Sequence, residues 1–384
     1  MRPRKRAGGL LLGAIVLFLI GTNVQAGILF VLAALLLGAL LAGLVLPFAA
    51  LRGLTAELVA PGEAEQGEAA AVELRLANRG RGVRWSVIAA DDHLEPAAVF
   101  LPMVRPGGDA EVTTLRTLGR RGEARTTSVE VRSAAPFGVA ERRRRLDVDA
   151  TTLVLPRRFA LGPVPFVEPV ATHDGGIRSA PRLGHGPEFL GVREYRPGDA
   201  MRHVHWGLTA HHGQIMVREF EEERTRRLAI VVDTERDDGD AWTPLDRACA
   251  VAASVVEAAL AQGHGARLAA AVDGRVEVVI RERGDELRRW LARLTPTGVT
   301  LVDTLRALPA DALRGVGTLL AVFPMWPGTD LEALADAVGG AVTRLVLIPV
   351  LGAEDPTPTP VAGVDVVPWR DGVELAEALG GRRP

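Results

Sequence analysis

The densest chemistry in the sequence lies between Gly186 and Glu223. Five of the eight histidines fall between His185 and His212, interleaved with Arg193, Glu194, Tyr195, Arg196, Asp199, Arg202 and Trp206. Histidine and carboxylate at this density invite a zinc site: His203, His205, His211 and His212, with Asp199 near, offer enough donors for three protein ligands and an open position. A helical reading of the segment opposes it. Residues two apart on a helix point ~200° away from each other, so His203 and His205 could not share an ion. His205 would then be a structural histidine on an apolar face. The arginines, Tyr195, Asp199, His205 and Trp206 fit another role. Arg and Trp are common interface anchors, and two or three guanidinium groups can hold an anion. An internal network would use the same residues, and the residues alone leave network and partner- or anion-binding surface open.

The run Glu188-Phe-Leu-Gly-Val-Arg-Glu-Tyr-Arg-Pro-Gly-Asp199, then Arg202-x-x-His205-Trp206, then Val217-Arg-Glu-Phe-Glu221 resembles the signature of the domain of unknown function 58 family. One departure is His211, where that family more often carries arginine. The resemblance implies a bacterial or archaeal membrane protein with a transmembrane hairpin, a β-rich domain, the signature and a von Willebrand factor A-like region. It also implies a MoxR-type AAA+ ATPase as partner, and so a non-enzymatic membrane-anchored adaptor in protein-complex assembly or envelope maintenance. The alternative is a metal-dependent hydrolase that uses the His- and Asp-rich signature.

A second candidate position is Asp233, at the end of the apolar run Leu228-Ala-Ile-Val-Val232. In an open α/β sheet, ligands gather beyond the carboxyl ends of the strands. A von Willebrand A metal site would place Asp-x-Ser-x-Ser there, with oxygen ligands suited to a hard divalent cation. This chain has Asp233-Thr-Glu-Arg-Asp237, without either serine, and Thr297-Gly-Val-Thr300 resembles the threonine loop. Asp233, Asp237 and Thr300 are therefore weak, degenerate metal candidates, and no cofactor is implied. Cys249 lies in an apolar helical pattern, and no serine sits in a nucleophile-elbow context.

The elements that must position these residues follow from patterning. The formal net charge of −2, from 45 basic and 47 acidic residues, gives no global nucleic-acid footprint. A single cysteine allows no intrachain disulfide. Residues 1–53 read as a transmembrane hairpin, with spans of about 7–22 and 27–50 broken at Gly21-Thr-Asn-Val-Gln25. Residues 54–156 read as a small Ig-like β-sandwich, with strands expected near 72–76, 83–87, 111–116, 126–132 and 146–155. Residues 157–227 hold a Pro- and Gly-rich connector, with Phe159, Val164 and Phe166 as anchors, and then the signature. There Asp199 is expected to cap a helix whose buried face carries Met201, Val204 and Leu208, with Arg202 and Trp206 on a neighbouring face. Residues 228–384 alternate strands and helices and read as a doubly wound α/β domain.

Ala7 to Leu51 contains no charged residue. One helix of that length would extend roughly 67 Å, about twice a ~30 Å hydrocarbon core, so two crossings fit better. A cleaved signal peptide is the competing reading, with Val24-Gln-Ala26 as cleavage site, but a second apolar span follows at once. Arg2, Arg4, Lys5 and Arg6 precede the first span and Arg52 follows the second. The excess of positive charge places both ends in the cytoplasm of a multi-pass protein of the bacterial inner membrane. Reporter fusions after Asn23 and at the C-terminus should accordingly report opposite sides; an externally located C-terminus would overturn this topology.

Overall fold

The computed structural model describes residues 2–3, 5–90, 94–95, 98–164, 189–195, 201, 204–220, 227–239, 241–280, 283–325 and 328–379. The chain divides into two compact units. The first is Met1–Arg157 with Asp240–Trp242 and Leu291–Arg293, and the second is Arg158–Gly239, Thr243–Trp290 and Leu294–Pro384.

The first unit opens with a short strand, β1 (Arg2–Pro3), and two helices, α1 (Lys5–Val24) and α2 (Gly27–Ala50). Ala7–Val24 and Gly27–Ala50 are long and apolar enough to cross a membrane. The reversal falls at the last residue of the expected Gly21–Gln25 break. Gly21 to Val24 stay helical, because the Thr22 hydroxyl donates to the Leu19 carbonyl at 2.7 Å and needs no break in the helix. The chain reverses at Gln25, whose φ is 54°. The two helices pack antiparallel, with the Phe18 and Phe30 rings edge to face at 5.5 Å. A Cβ at Gly13 would lie 3.4 Å from Leu36, and one at Gly21 would lie 3.2 Å from Leu29.

Nine further strands complete this unit: β2 (Leu54–Val59), β3 (Glu63–Glu65), β4 (Ala69–Asn78), β5 (Arg84–Ala90), β6 (Leu94–Glu95), β7 (Ala98–Val104), β8 (Asp109–Thr117), β9 (Gly122–Ser133) and β10 (Ala140–Leu155). They form one sheet in the order β1-β10-β9-β5-β7, with β3 on β10, and another in the order β2-β4-β8-β6. Alternate residues of each sheet meet in one core: Leu54, Leu58, Leu74 and Leu76 from one, Val87, Leu101, Val129, Val131 and Leu146 from the other. Buried Asn78 holds the turn after β4. Its amide donates to the carbonyls of Gly82 (2.8 Å) and Val104 (3.1 Å), and its side-chain oxygen accepts from Gly80 N–H. β2 and β7 lie outside the alternation read from the sequence.

In the second unit the connector is anchored where expected at two positions. The Phe159 N–H donates to Ser254 Oγ at 2.9 Å, its ring lies 5.3 Å from that of Trp369, and Val164 is buried; Phe166 lies outside the described residues. The signature follows as β11 (Phe189–Glu194), α3 (Trp206–His212) and β12 (Met216–Phe220). Then come β13 (Arg227–Val232), α4 (Pro244–Ala261), β14 (Gly265–Val272), β15 (Arg275–Ile280), α5 (Gly284–Arg293), α6 (Leu301–Arg306), β16 (Thr318–Pro324), α7 (Leu331–Val338), β17 (Arg344–Leu351), β18 (Asp365–Val366), β19 (Trp369–Arg370) and α8 (Leu375–Ala378).

The sheet order is β15-β14-β13-β16-β17-β18, with β19 also on β17. Every pairing is parallel except β14 with β15, which turn through Asp273 and Gly274, both at positive φ as a type I′ hairpin requires. Ala229 and Val231 of β13 pack with Leu319, Ala321 and Phe323 of β16 and with Leu301, Leu305, Leu331 and Leu334 of α6 and α7. Leu228, Ile230 and Val232 have the opposite parity and point to the other face, where α4 packs. With helices on both faces, β13 is buried on each side, as its unbroken apolar run requires. The pattern of residues 372–379 predicts a helix from Gly372, but α8 begins only at Leu375 because Gly372 has φ 88°, and α6 is too short for a periodicity window.

The end of α2 is built into the β-sandwich. Leu51, its C-cap residue, is 2 % exposed and belongs to the sandwich core. Arg144 of β10 donates to the Leu51 carbonyl at 3.0 Å, and the Arg142 guanidinium lies 4.8 Å from the Phe48 ring centroid. Gly43 has no room for a side chain, since a Cβ there would sit 2.7 Å from Val139. Gly43→Leu should therefore lower stability by about 1–3 kcal/mol, the usual cost of overpacking, read as a lower melting temperature of the full chain in detergent. Val139→Ala should recover part of that loss in the double variant; additive losses would show that the two residues do not touch.

Candidate functional site

Three elements build the signature, and their backbone bonds hold it together. β11 pairs antiparallel with β12, setting Arg193 opposite Val217 and Glu194 opposite Met216. The ladder extends past β11 through Tyr195 N–H, which donates to the Ile215 carbonyl at 2.8 Å. Val204 forms an isolated bridge with Val217, and His205 N–H donates to the Met216 carbonyl at 2.7 Å. α3 is then launched by His205 as its N-cap, whose Nδ1 accepts from Leu208 N–H at 3.3 Å. It ends at Gly213, left-handed at φ 70°, and Thr209 Oγ1 accepts from Met216 N–H at 3.0 Å.

This geometry corrects the expected helix. Val204 is extended and α3 starts only at Trp206, because a strand bridge and a cap occupy the two residues before it. The angular argument that kept His203 and His205 from sharing an ion therefore loses its premise. Met201, expected in the buried face, is exposed, whereas Val204 is buried as expected. His205 does serve a structural purpose, as a cap. Trp206 is 65 % exposed, Tyr195 is half-buried, and His211 is exposed. Arg196, Asp199, Arg202 and His203 lie outside the described residues, as do the side chains of Arg193 and His212.

The second candidate site lies at the carboxyl end of β13. The chain leaves β13 toward β14 on one side, and leaves β16 toward β17 on the other, so the switch in winding falls between β13 and β16. Asp233 sits there, 3 % exposed, and its N–H donates to the Val322 carbonyl at 3.0 Å. Its Oδ1 accepts from Glu235 N–H at 2.9 Å. Burial pushes the Asp233 carboxyl from 3.8 up to about 6, against the lowering effect of that hydrogen bond.

The other two metal candidates are engaged elsewhere. Asp237 accepts from Thr243 Oγ1 (2.9 Å) and Leu245 N–H (3.1 Å), which ties it to the capping box at the start of α4. Thr300 caps α6, accepting from Asp303 N–H and donating to Asp303 Oδ2. Thr297, rather than Thr300, meets the Asp233 loop: its N–H donates to the Thr234 carbonyl at 2.7 Å, and its Oγ1 lies 3.2 Å from Thr234 Oγ1. Among the described residues, no three His, Cys, Asp or Glu side chains converge on a common point fit for a metal ion.

The family expected from the signature is matched over both of these regions. Residues 191–351 match the family model described as "Protein of unknown function DUF58". The curated "Uncharacterized protein YeaD" of Bacillus subtilis (strain 168) is 28% identical over 232 residues, 59% of this chain and 56% of that protein. The chain thus spans little more than half the length of that relative. Among solved structures, the CARDB domain of PF1109 from Pyrococcus furiosus covers 25% of this chain and 94% of its own, at 13% identity and a TM-score of 0.16. A GH20 exo-β-N-acetylglucosaminidase from Vibrio harveyi covers 78% of this chain and 57% of its own, at 10% identity and a TM-score of 0.19. Scores that low carry no argument about fold or activity.

The DUF58 match runs from within β11 to Leu351, the last residue of β17, and so takes in both the signature and Asp233. Within the DUF58 stretch, sequence reasoning found the Thr297–Thr300 loop but took Thr300 for Thr297, and it left out the ties made by Thr234 and Thr243; a threonine directly before a Pro or shortly after a strand was the available signal. Asp233 supplies a test of the site's electrostatics. Its folded carboxyl holds a proton more tightly than the unfolded one, so stability falls as pH rises from about 4 to about 6 and stays lower above. The full penalty is on the order of 3 kcal/mol. Asp233→Asn keeps an oxygen acceptor for Glu235 N–H and should remove that slope. Melting curves of both forms at pH 4 and pH 7 should diverge in favour of the variant at pH 7; parallel profiles would show that Asp233 is not the titrating group.

Proposed function

We propose that this protein is a membrane-anchored, non-enzymatic adaptor of the bacterial inner membrane, with both units on the cytoplasmic side. In this reading the first unit is an Ig-like β domain and the second a von Willebrand factor A-like domain. The signature is the surface offered to a partner, and the family resemblance names that partner as a MoxR-type AAA+ ATPase acting in complex assembly or envelope maintenance.

One observation supports the surface reading over the internal network. Trp206 stands 65 % exposed at the start of a helix whose first turn is fixed by the His205 cap and whose last residue meets a left-handed glycine. Met201 (56 %) and Ile215 (41 %) are exposed in the same small assembly. Large apolar side chains that contribute little to folding, held on a backbone pinned by β11 and β12, suit a docking surface in which an aromatic anchor carries much of the affinity.

Pulldown of the full-length protein from membranes tests this. Trp206→Ala should change folding stability by no more than about 0.5 kcal/mol, as exposed substitutions do, yet remove most of the co-purifying ATPase. His205→Ala should cost about 1 kcal/mol through loss of the cap, with or without a partner. A Trp206→Ala protein that unfolds, while the folded fraction still retains its partner, would make the signature internal scaffolding.

A further inference from the structure

The hairpin between β9 and β10 has an unusual composition for a loop of a soluble domain. Its tip, Ala134-Ala-Pro-Phe-Gly-Val-Ala140, contains no polar side chain, and Phe137 on it is 47 % exposed. Val139, at the end of the tip, is the residue packed against Gly43 of α2. The tip therefore lies roughly 10 Å back along α2 from the helix's C-terminal end. Directly after it, β10 carries Arg142, Arg143, Arg144 and Arg145, all exposed. Strand side chains alternate between faces, so Arg143 and Arg145 share one face, and Arg142 and Arg144 share the other, where they reach Phe48 and Leu51 of α2 yet stay exposed.

The charges are only partly neutralised. Arg143 is paired with Glu130 at 3.3 Å and with Glu141 at 2.7 Å. Arg142 lies over Phe48, and Arg144 is on the Leu51 carbonyl. Among the described residues neither of these two, nor Arg145, meets a carboxylate.

The helices place this basic strip at a definite depth. The contacts of Gly13 with Leu36 and of Gly21 with Leu29 fix an antiparallel register. In that register Ala7 lies within about a residue of the level of Gly43. The basic residues at positions 2, 4, 5 and 6 thus precede the same level, and β1 sets Arg2 opposite Glu141 on β10. α2, at 24 residues, is about 36 Å long, a few ångströms more than the ~30 Å hydrocarbon core.

We infer that the β9–β10 hairpin is an interfacial anchor: its apolar tip enters the boundary between headgroups and acyl chains, and Arg142, Arg144 and Arg145 bind the phosphates of anionic phospholipids. A soluble phosphate would meet the same guanidinium groups, but only a bilayer gives the apolar tip and Phe137 somewhere to go. Arginines on long apolar stems suit that depth. The inference rests on the membrane-spanning reading proposed above.

The test uses the full chain in nanodiscs of phosphatidylcholine alone and of phosphatidylcholine mixed with phosphatidylglycerol, with amide hydrogen exchange followed across residues 133–142. Retention in the neutral discs checks the helices separately; protein that leaves the lipid fraction there refutes the spanning reading and this inference with it. With the protein retained, exchange at the tip should slow in the anionic discs by on the order of a hundredfold, about fivefold for each of the three arginines. The protection should fall roughly fivefold for each arginine removed in Arg142→Gln and Arg145→Gln, and it should weaken in concentrated salt. Among the described residues Arg145 makes no hydrogen bond, ion pair or ring contact with α2, so Arg145→Gln separates lost lipid binding from lost folding at Phe48. Equal exchange in the two discs overturns the inference, as do arginine variants that match the wild type. Protection seen only in native membranes would assign the surface to a protein instead of lipid, and overturn it too.

Discussion

An α-helix ends with carbonyls that no residue of its own can satisfy, and much of the first unit depends on how α2 meets that constraint. Its last turn contains no basic residue, so nothing in the helix balances the negative end of its dipole. The missing cation comes from β10, as Arg144 on the Leu51 carbonyl. With Leu51 itself in the sandwich core, the helix passes into the β domain without a flexible linker. The absence of a side chain at Gly43 lets the hairpin come close enough for this to happen. An apolar helix and a β-sandwich, which could have been joined by any loose tether, are thus one piece.

The second unit meets a related constraint at the carboxyl ends of its parallel strands. Loops there carry polar groups at the edge of a dry sheet, and each must find a partner or be solvated. Here most partners are internal. Asp237 and Thr243 serve the start of α4, Thr300 and Asp303 serve α6, and Thr234 and Thr297 serve each other. Helix caps and loop ties have taken over oxygens that a metal site would need. Asp233 keeps one hydrogen bond and a carboxyl pushed toward neutrality by burial.

How much of this was legible in the sequence depended on whether a residue's job was repetitive or local. Leu74, Val131 and the run Leu228–Val232 announced themselves because burial repeats along a strand. The Asp273-Gly274 turn did so because hairpin turns have fixed residue types and spacing. The hairpin break was drawn too broadly because a threonine hydroxyl can be satisfied by its own helix, which polarity alone does not reveal. Met201 was assigned to a core on the assumption of a helix; the Val204–Val217 bridge that rules the helix out joins residues too distant for periodicity to find. The service of Arg144 to α2 was likewise invisible, since it links positions 93 residues apart.

The reversal between α1 and α2 uses only Gln25 and Ala26. With the helices across a bilayer, such a tight bend leaves the far side almost no polypeptide: no loop to be cleaved, glycosylated or grasped, and no room for a receptor.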